Sequence, residues 1–218
     1  PGVNGQGIGI AIVDSGIATH SALKDSALKN KVVANISFVT GDPSTDDAYG
    51  HGTHVAGIIA GQAGPSVTNL YDGGIAPGAQ LVNVRVLGAD GRGFTSDVIA
   101  GIDWVIENRA LYKIRVMNLS LGHPIGESCV TDPLCEAVAR AVGAGIVVVA
   151  SAGNDGRSEN GQRILGGITS PGNSPFAITV GALNTWGTSD RSDDTVTDYS
   201  SRGPTKFDLA DKPDLAAP

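Results

Sequence analysis

The strongest structural signal in the sequence is the stretch Tyr49-Gly-His-Gly-Thr-His-Val-Ala-Gly-Ile-Ile-Ala-Gly61. It opens on small residues and continues into an apolar segment that favours a helix. His51 stands at the start of that segment between Gly50 and Gly52, which permit a tight turn and the close approach of another backbone. His54 follows one turn later, on roughly the same face. A single histidine is most often structural, so this stretch by itself assigns no function.

Apolar runs bounded by glycine lie on both sides of this stretch and alternate with helical patterns. Short continuous apolar runs are typical of buried parallel strands. The predicted strands lie in the segments 7–14, 32–39, 75–87, 114–122, 146–154 and 177–182. Helical patterns cover 96–109, with Ser96 as the N-cap, and 132–142, with Pro133 in the first turn. This alternation predicts a single α/β domain over 1–218, a mainly parallel sheet with helices on both faces.

Polar residues follow two of the predicted strands, where open α/β sheets place their sites. Asp14 ends the first strand, and Asn154 ends the run at 146–154. Taken alone, an aspartate at such a position is more often a cap or a turn residue. The glycines of Gly5-Gln-Gly-Ile-Gly9 could suggest a nucleotide-binding loop. They precede a strand, however, whereas the glycines of the dinucleotide fingerprint follow one, so a nucleotide-binding loop is rejected.

Charge and composition exclude several classes of protein. The formal net charge of −7 argues against nucleic acid or an anionic membrane as the main partner. Apolar runs stay shorter than the roughly 18 residues of a membrane span, and the first residues lack the pattern of a signal peptide. The acidic segment 41–48 does not match a calcium loop and is interpreted as a solvated loop. The two cysteines, Cys129 and Cys135, suit neither a zinc ribbon nor a redox motif, and either a disulfide or free thiols fit their spacing.

Four short motifs together resemble one family. They are Asp14-Ser-Gly-Ile17, His51-Gly-Thr-His54, Asn118-Leu-Ser-Leu-Gly122 and Ala152-Gly-Asn154. In this order, with the aspartate before the histidine, they resemble the motifs of the subtilisin-like serine proteases, or subtilases. The resemblance extends over residues 7–218. It implies the three-layer subtilisin-like fold and the activity of a serine endopeptidase.

The resemblance also implies a role for each matching residue. His51 would be the general base, Asp14 would orient it, and the Asn154 amide would donate to the oxyanion. His54 would be structural. The residues that would bind an extended substrate are Gly91, Arg92, Gly93, Ser120, Leu121 and Gly122, with Ala152 and Gly153 lining the side-chain pocket.

The nucleophile is where the sequence departs from the family. A subtilase carries its serine in a Gly-Thr-Ser-Met-like motif at the start of an apolar helix. The nearest string here is Gly187-Thr188-Ser189, which is followed by Asp190 and a polar loop, so Ser189 is not assigned. We therefore expect a peptidase domain that is incomplete at its C-terminus and lacks a propeptide. Its nucleophilic serine would lie beyond residue 218, and the chain alone would be inactive.

Two other functions are weighed against this one. A peptide-binding module without catalysis would keep the substrate strands. Such a module has no need of the catalytic residues, and the presence of Asp14, His51 and Asn154 therefore argues against it. A metal hydrolase would use His51 and His54, but His20 and His123 do not stand at metal-site spacing.

Partners and location follow only from the resemblance. The expected partners are a polypeptide substrate, a propeptide or the missing C-terminal segment, and a second copy that associates through the uncovered face of the sheet. The chemistry requires no cofactor or metal, and a structural calcium ion is left open without assigned ligands. The chain itself indicates no compartment, and the resemblance implies secretion.

Overall fold

The apolar runs become strands in the structure, a computed structural model that describes residues 2–25, 27–64 and 71–218. The chain divides into two compact units. Unit 1 comprises Pro1–Asn118 and Ala144–Ile146, and unit 2 comprises Leu119–Gly143 and Val147–Pro218. In chain order the elements are β1 (Gly9–Asp14), β2 (Val32–Ser37), α1 (His51–Ala60), β3 (Gln80–Arg85), α2 (Thr95–Asn108), β4 (Ile114–Leu119), α3 (Pro133–Gly143), β5 (Val147–Ser151), β6 (Ile178–Asn184), β7 (Thr195–Val196) and β8 (Leu215–Ala217).

Unit 1 is built on parallel strands in the order β2-β3-β1-β4. All six residues of β1 are buried, which explains its continuous apolar sequence. Ile10 and Ile12 share a core cluster with α1 and with Leu81, their neighbour on β3. The opposite side of β3 faces α2, where a Cβ on Gly101 would lie 2.9 Å from Val86 Cγ1 and 3.0 Å from a Val84 methyl. The predicted α/β class, with helices on both faces of a parallel sheet, is therefore confirmed.

Helix α1 begins at His51, as the sequence predicted. Gly50 at its N-cap has φ +93°, in the left-handed region that favours glycine, and no side chain of its own with which to cap the helix. The buried face of α1 consists of Gly52, Ala56 and Ala60. Small residues let the helix lie close to the end of β1, since a Cβ on Gly52 would strike the carbonyl oxygen of Gly16.

The prediction that Ser96 caps α2 is wrong. Phe94 is the last residue with extended backbone, at φ −89° and ψ 144°, and the helix begins at Thr95. Ser96 therefore lies inside the first turn and cannot act as the N-cap. The helix carries no side-chain cap at Phe94, although Asp97 supplies an acidic side chain in its first turn.

Unit 2 contains β5 and β8, both parallel to β6, and β7, which pairs antiparallel with β6. Helix α3 packs on β5 and starts at Pro133, in agreement with the predicted first turn. Asp132 precedes it, and its Oδ1 accepts the Leu134 N–H at 2.8 Å. Cys129 and Cys135 form a disulfide, which settles the alternative that the sequence left open.

The sheet of unit 2 has two unlike faces. One is buried and consists of Val148, Ala150, Thr179 and Gly181. The other, which we call the open face, consists of Val147, Val149, Ile178, Val180 and Leu215. On the open face Val147 is 47% exposed, Ile178 39% and Leu215 49%. This unit therefore presents an apolar strand surface that it does not itself bury.

The acidic segment 41–48, predicted to be a solvated loop, is exposed at five of its eight residues but is anchored to the fold at the others. Arg85, itself 2% exposed, donates to the Ser44 carbonyl at 2.7 Å and pairs with Asp42 at 2.8 Å. Asn83 donates to the Thr45 carbonyl at 2.8 Å, and Asp47 is only 9% exposed. These contacts fix the segment to β3 just before it enters α1. Among the described residues, no helix has the length and apolarity needed to cross a membrane.

Candidate active site

Asp14 and His51, predicted from separate motifs, are in direct contact. Asp14 is the last residue of β1 and His51 the first of α1. His51 Nδ1 lies 2.7 Å from Asp14 Oδ1, and the two side chains are 41% and 1% exposed, respectively. An ionised carboxylate only accepts hydrogen bonds, so Nδ1 carries the proton and donates it. The neutral ring then has an unprotonated Nε2, the atom that a general base needs.

The electrostatics of this pair favour the protonated imidazole. The hydrogen bond to Asp14 raises the pKa of His51, and the charges of Asp14 and Asp47 act in the same direction. Partial burial of the ring opposes this but is outweighed. The site can therefore stabilise the imidazolium that forms when His51 takes a proton.

The Asp14 carboxylate is held at one oxygen. Oδ1 accepts both the His51 Nδ1–H and the Ser15 backbone N–H, the latter at 2.7 Å. Oδ2 is buried and has no hydrogen-bond partner among the described residues. Both hydrogen bonds of the carboxylate are therefore accepted at Oδ1, and the bond from His51 fixes the orientation of the imidazole.

The predicted substrate segment Gly91-Arg92-Gly93 lies in unit 1, as does the Asp14–His51 pair. Gly91 has φ +75°, and a Cβ there would lie 2.5 Å from the ring of Tyr49. The Tyr49 and His51 rings are 6.5 Å apart, centroid to centroid. Tyr49 thus packs against the backbone of Gly91 and lies near the imidazole. Arg92 is exposed, and its carbonyl accepts the Gly88 N–H at 2.7 Å.

The remaining predicted site residues, at 120–122 and 152–154, belong to unit 2. Strand β4 ends at Leu119 and β5 at Ser151, so Ser120–Gly122 and Ala152–Asn154 follow the strands rather than extend them. Asn154 is exposed.

These two segments meet at Thr169, which the sequence analysis missed. A Cβ on Gly122 would lie 2.6 Å from Thr169 Oγ1, and one on Gly153 would lie 2.8 Å from its Cγ2. Gly153 has φ +103°. Thr169 is 8% exposed and donates its backbone N–H to the Ala152 carbonyl at 3.1 Å. No motif marks this threonine, so its contact with both segments becomes visible only in the fold.

Two of the competing assignments can be compared with the structure. Ser189 lies in an exposed bend, and turns rather than a helix follow it at 190–194. Over the described residues, no three His, Cys, Asp or Glu side chains cluster closely enough to hold a metal ion. His54 is exposed one turn along α1.

Comparison with known proteins places this geometry in a family. The model of the Subtilase family matches residues 5–218. The chain belongs to the subtilase family. The chain of this subtilase is 38% identical to Serine protease AprX of Bacillus subtilis (strain 168), over 99% of the chain and 47% of that protein. It is 40% identical to Subtilisin BL of Lederbergia lenta, over 84% of the chain and 58% of that protein.

A solved structure gives the same family. The crystal structure of a cold adapted subtilisin-like serine proteinase superposes on this subtilase with a TM-score of 0.72 at 31% identity, covering 100% of the chain and 64% of the solved one. The chain therefore spans about half to three-fifths of the length of the two curated relatives. The activity of a complete protein is a separate question from family membership.

Proposed function

We propose that this chain is part of a serine endopeptidase and supplies the aspartate and histidine of its Asp-His-Ser triad. The observation that carries the proposal is the 2.7 Å bond between the buried Asp14 carboxylate and the partly exposed His51 ring. The nucleophilic serine would come from residues beyond 218, since no Gly-Thr-Ser followed by an apolar helix occurs in the sequence. Family membership and the exposed, non-helical setting of Ser189 support this assignment.

The chemistry follows from the protonation of His51. Nε2 would take the proton of the serine hydroxyl as the serine oxygen attacks the peptide carbonyl, and would then give it to the departing amine. Asp14 holds the ring in the required tautomer and stabilises the imidazolium. Water then hydrolyses the acyl-enzyme: His51 takes the proton of the attacking water and gives it to the serine oxygen as the acyl–oxygen bond breaks.

Asn154 would donate its side-chain N–H to the oxygen that becomes negative in the tetrahedral intermediate. Loss of this donor costs about 10²–10³ in turnover, a value measured on a subtilisin itself rather than derived from this chain. An extended polypeptide would pair with the backbone of 91–93 and of 120–122, where glycines give clearance. Ala152, Gly153 and Thr169 would line the pocket for the side chain before the cut.

The reaction as proposed needs no cofactor. The disulfide between Cys129 and Cys135 suits an oxidising compartment and so supports the secreted location that the family resemblance implies. A propeptide and the segment after residue 218 are proposed as further partners of the chain.

The test is a serine-reactive fluorophosphonate probe applied to residues 1–218 and to the parent protein extended beyond 218. We expect no labelling of the short chain and stoichiometric labelling of the extended protein at a serine beyond residue 218. His51→Ala in the extended protein should abolish that labelling, whereas His54→Gln should preserve it. Labelling of Ser189 in the short chain would overturn the assignment. An extended protein that binds peptides but is never labelled would favour the non-catalytic binding module.

A further inference from the structure

Asp47 is a buried carboxylate that the proposed chemistry does not use. It is 9% exposed and accepts hydrogen bonds at both oxygens. Its Oδ1 accepts the Ser15 hydroxyl at 2.8 Å and the Gly50 N–H at 2.7 Å. Its Oδ2 accepts the Thr53 N–H at 2.8 Å and the Thr53 hydroxyl at 2.7 Å. One side chain from the loop thus gathers three separate partners, all within unit 1.

The first role of these bonds is to cap helix α1. Gly50 occupies the N-cap and has no side chain to satisfy the free N–H groups of the first turn. Asp47 does this instead, through Gly50 and Thr53, and places a negative charge at the positive end of the helix. Thr53 Oγ1 in turn accepts the Ala18 N–H at 2.9 Å, which ties this turn to the chain after β1.

The second role is a link to Asp14. Ser15, bonded to Asp47 through its hydroxyl, also accepts the Gly52 N–H at 3.0 Å. Its own N–H donates to Asp14 Oδ1 at 2.7 Å. The residues on either side of His51 are therefore both held by the Asp47–Ser15 pair, and the same pair contacts the carboxylate that orients the imidazole.

Glycines flanking His51 would otherwise leave its backbone free to shift. Glycine has the widest conformational range of any residue, so the hydrogen bonds to Gly50 and Gly52 supply a rigidity that the sequence at 50–52 lacks. A displacement of one ångström between catalytic groups costs about 10² in rate, so such rigidity has a functional consequence.

We propose that Asp47 is a positioning residue that holds His51 against Asp14, acting through the Ser15 hydroxyl and the first turn of α1. Its catalytic meaning rests on the proposed function, in which His51 is the general base. Asp47 touches neither substrate nor the reacting atoms.

The titratable groups near His51 in the described residues come from three segments. They are Asp14 at the end of β1, Asp47 and Tyr49 in the loop, and His54 one turn along α1. Burial alone would raise the pKa of Asp47, but hydrogen bonds from Thr53, Gly50 and Ser15 outweigh it and keep the pKa below its ordinary value. Asp47 therefore remains charged through the pH range in which His51 titrates.

The experiment compares Asp47→Asn with Asp46→Asn by histidine NMR of residues 1–218. Asp46 is exposed and carries the same charge at the neighbouring position, so it is the matched control. The side-chain nitrogen of an asparagine only donates, so Asp47→Asn loses the hydrogen bonds accepted at one of the two carboxylate oxygens. We expect this variant to broaden or abolish the downfield His51 Nδ1–H resonance and to lower the midpoint of the His51 titration. Asp46→Asn should leave the resonance in place and shift the midpoint less.

Ser15→Ala provides a second test that keeps the Asp47 charge and its bonds to Gly50 and Thr53, and removes the hydroxyl that accepts the Gly52 N–H. It cuts the link between Asp47 and the neighbour of Asp14, so we expect a broadened Nδ1–H resonance with a nearly unchanged midpoint. This variant decides the matter if Asp47→Asn fails to fold. A wild-type Nδ1–H resonance in folded Ser15→Ala, or in folded Asp47→Asn, would overturn the proposal.

The readout separates this inference from the proposed function, because it needs no nucleophile. An extended protein that never hydrolyses peptides would overturn the function but leave the NMR comparison standing. If the extended protein is active, Asp47→Asn should lower kcat by a larger factor than it changes KM. A wild-type kcat in that variant would contradict the positioning role.

Discussion

The charge state of His51 depends mainly on a single neighbour. We predict that Asp14→Asn lowers the pKa of His51, because the hydrogen bond to Asp14 is the largest cause of its raised value. A raised pKa in the folded state stabilises the protein fully below the unfolded value of about 6.5, and this stabilisation is lost as the pH rises through the folded pKa. The free energy of unfolding of the variant should therefore fall less between pH 6 and pH 9 than that of the wild type.

Urea unfolding at several pH values and an NMR titration would measure these two quantities. His54→Gln serves as the control, since it removes the other histidine of α1 and identifies the His51 signals. An unchanged His51 titration in Asp14→Asn would show that the 2.7 Å contact does not persist in solution.

Gly91 and Gly7 allow backbone strain to be separated from a steric clash. Both have positive φ, at +75° and +80°, so alanine strains either position by roughly 1–2 kcal/mol. A Cβ on Gly91 would also meet the Tyr49 ring at 2.5 Å, whereas one on Gly7 would have no described atom within 4 Å. We expect Gly91→Ala to lower the free energy of unfolding more than Gly7→Ala. Equal losses would mean that the Tyr49 ring moves aside without cost.

Single residues also show which parts of the candidate site could be predicted from the sequence. Asp14 and His51 could be chosen because each belongs to a contiguous motif, and the structure places them in contact. Asp47 lies in the segment 41–48, which the sequence predicts to be a solvated loop, and its partner Ser15 is 32 positions away, outside any local pattern. Thr169 carries no local signal, since its role depends on Gly122 and Gly153 approaching it from two other segments. A local sequence pattern does not predict a role that depends on contacts between segments far apart in the chain.

Helix α1 contains two glycines with opposite expected behaviour. Gly52 faces the end of β1, where a Cβ would strike the Gly16 carbonyl and lie 3.2 Å from Asp14 Cβ. Among the described residues, the one atom within 4 Å of a Cβ on Gly57 is the Tyr71 hydroxyl oxygen, at 3.8 Å, an ordinary contact. We predict that Gly52→Ala destabilises the protein by about 1–3 kcal/mol through overpacking. Gly57→Ala should stabilise it by up to about 1 kcal/mol, because alanine favours a helix over glycine.

Thermal and urea unfolding of the two variants would test this pair directly. A Gly52→Ala variant as stable as Gly57→Ala would mean that α1 can move away from β1. The His51 Nδ1–H resonance would then report the same movement, since His51 directly precedes Gly52.

At the level of elements, continuous apolar runs were the most reliable guide. The strand predicted at 7–14 contains β1, and the run at 146–154 contains β5, although both elements are shorter than the runs. Ends are harder, because they depend on contacts outside the element. Ser96 has the chemistry of an N-cap, but the backbone turns into α2 after Phe94. The side chain that caps α1 belongs to Asp47, three residues before the N-cap residue Gly50. The identity of the N-cap residue alone therefore does not predict this cap.

For the whole molecule, the open face of unit 2 predicts association. Val147, Ile178 and Leu215 are each between 39% and 49% exposed on one side of paired strands. Soluble monomers rarely expose a continuous apolar patch larger than about 300–600 Å². Burial of a few hundred Å² contributes several kcal/mol at roughly 25 cal/mol per Å², which is comparable to the stability of a domain. We therefore expect residues 1–218 to self-associate through the open face and to bind a hydrophobic dye.

Sedimentation velocity and dye fluorescence would test this expectation with a matched set of substitutions. The double variant Val147→Thr and Ile178→Thr keeps β-branched side chains suited to strands but makes the open face polar. Val130→Thr makes the same change at a loop residue that is 90% exposed and outside the open face, so it is the control. The double variant should sediment as a monomer and bind less dye, whereas the control should behave as the wild type does. A monodisperse wild-type monomer that binds no dye would contradict the prediction, because half-exposed valine and isoleucine side chains on adjacent strands would then remain in water without associating.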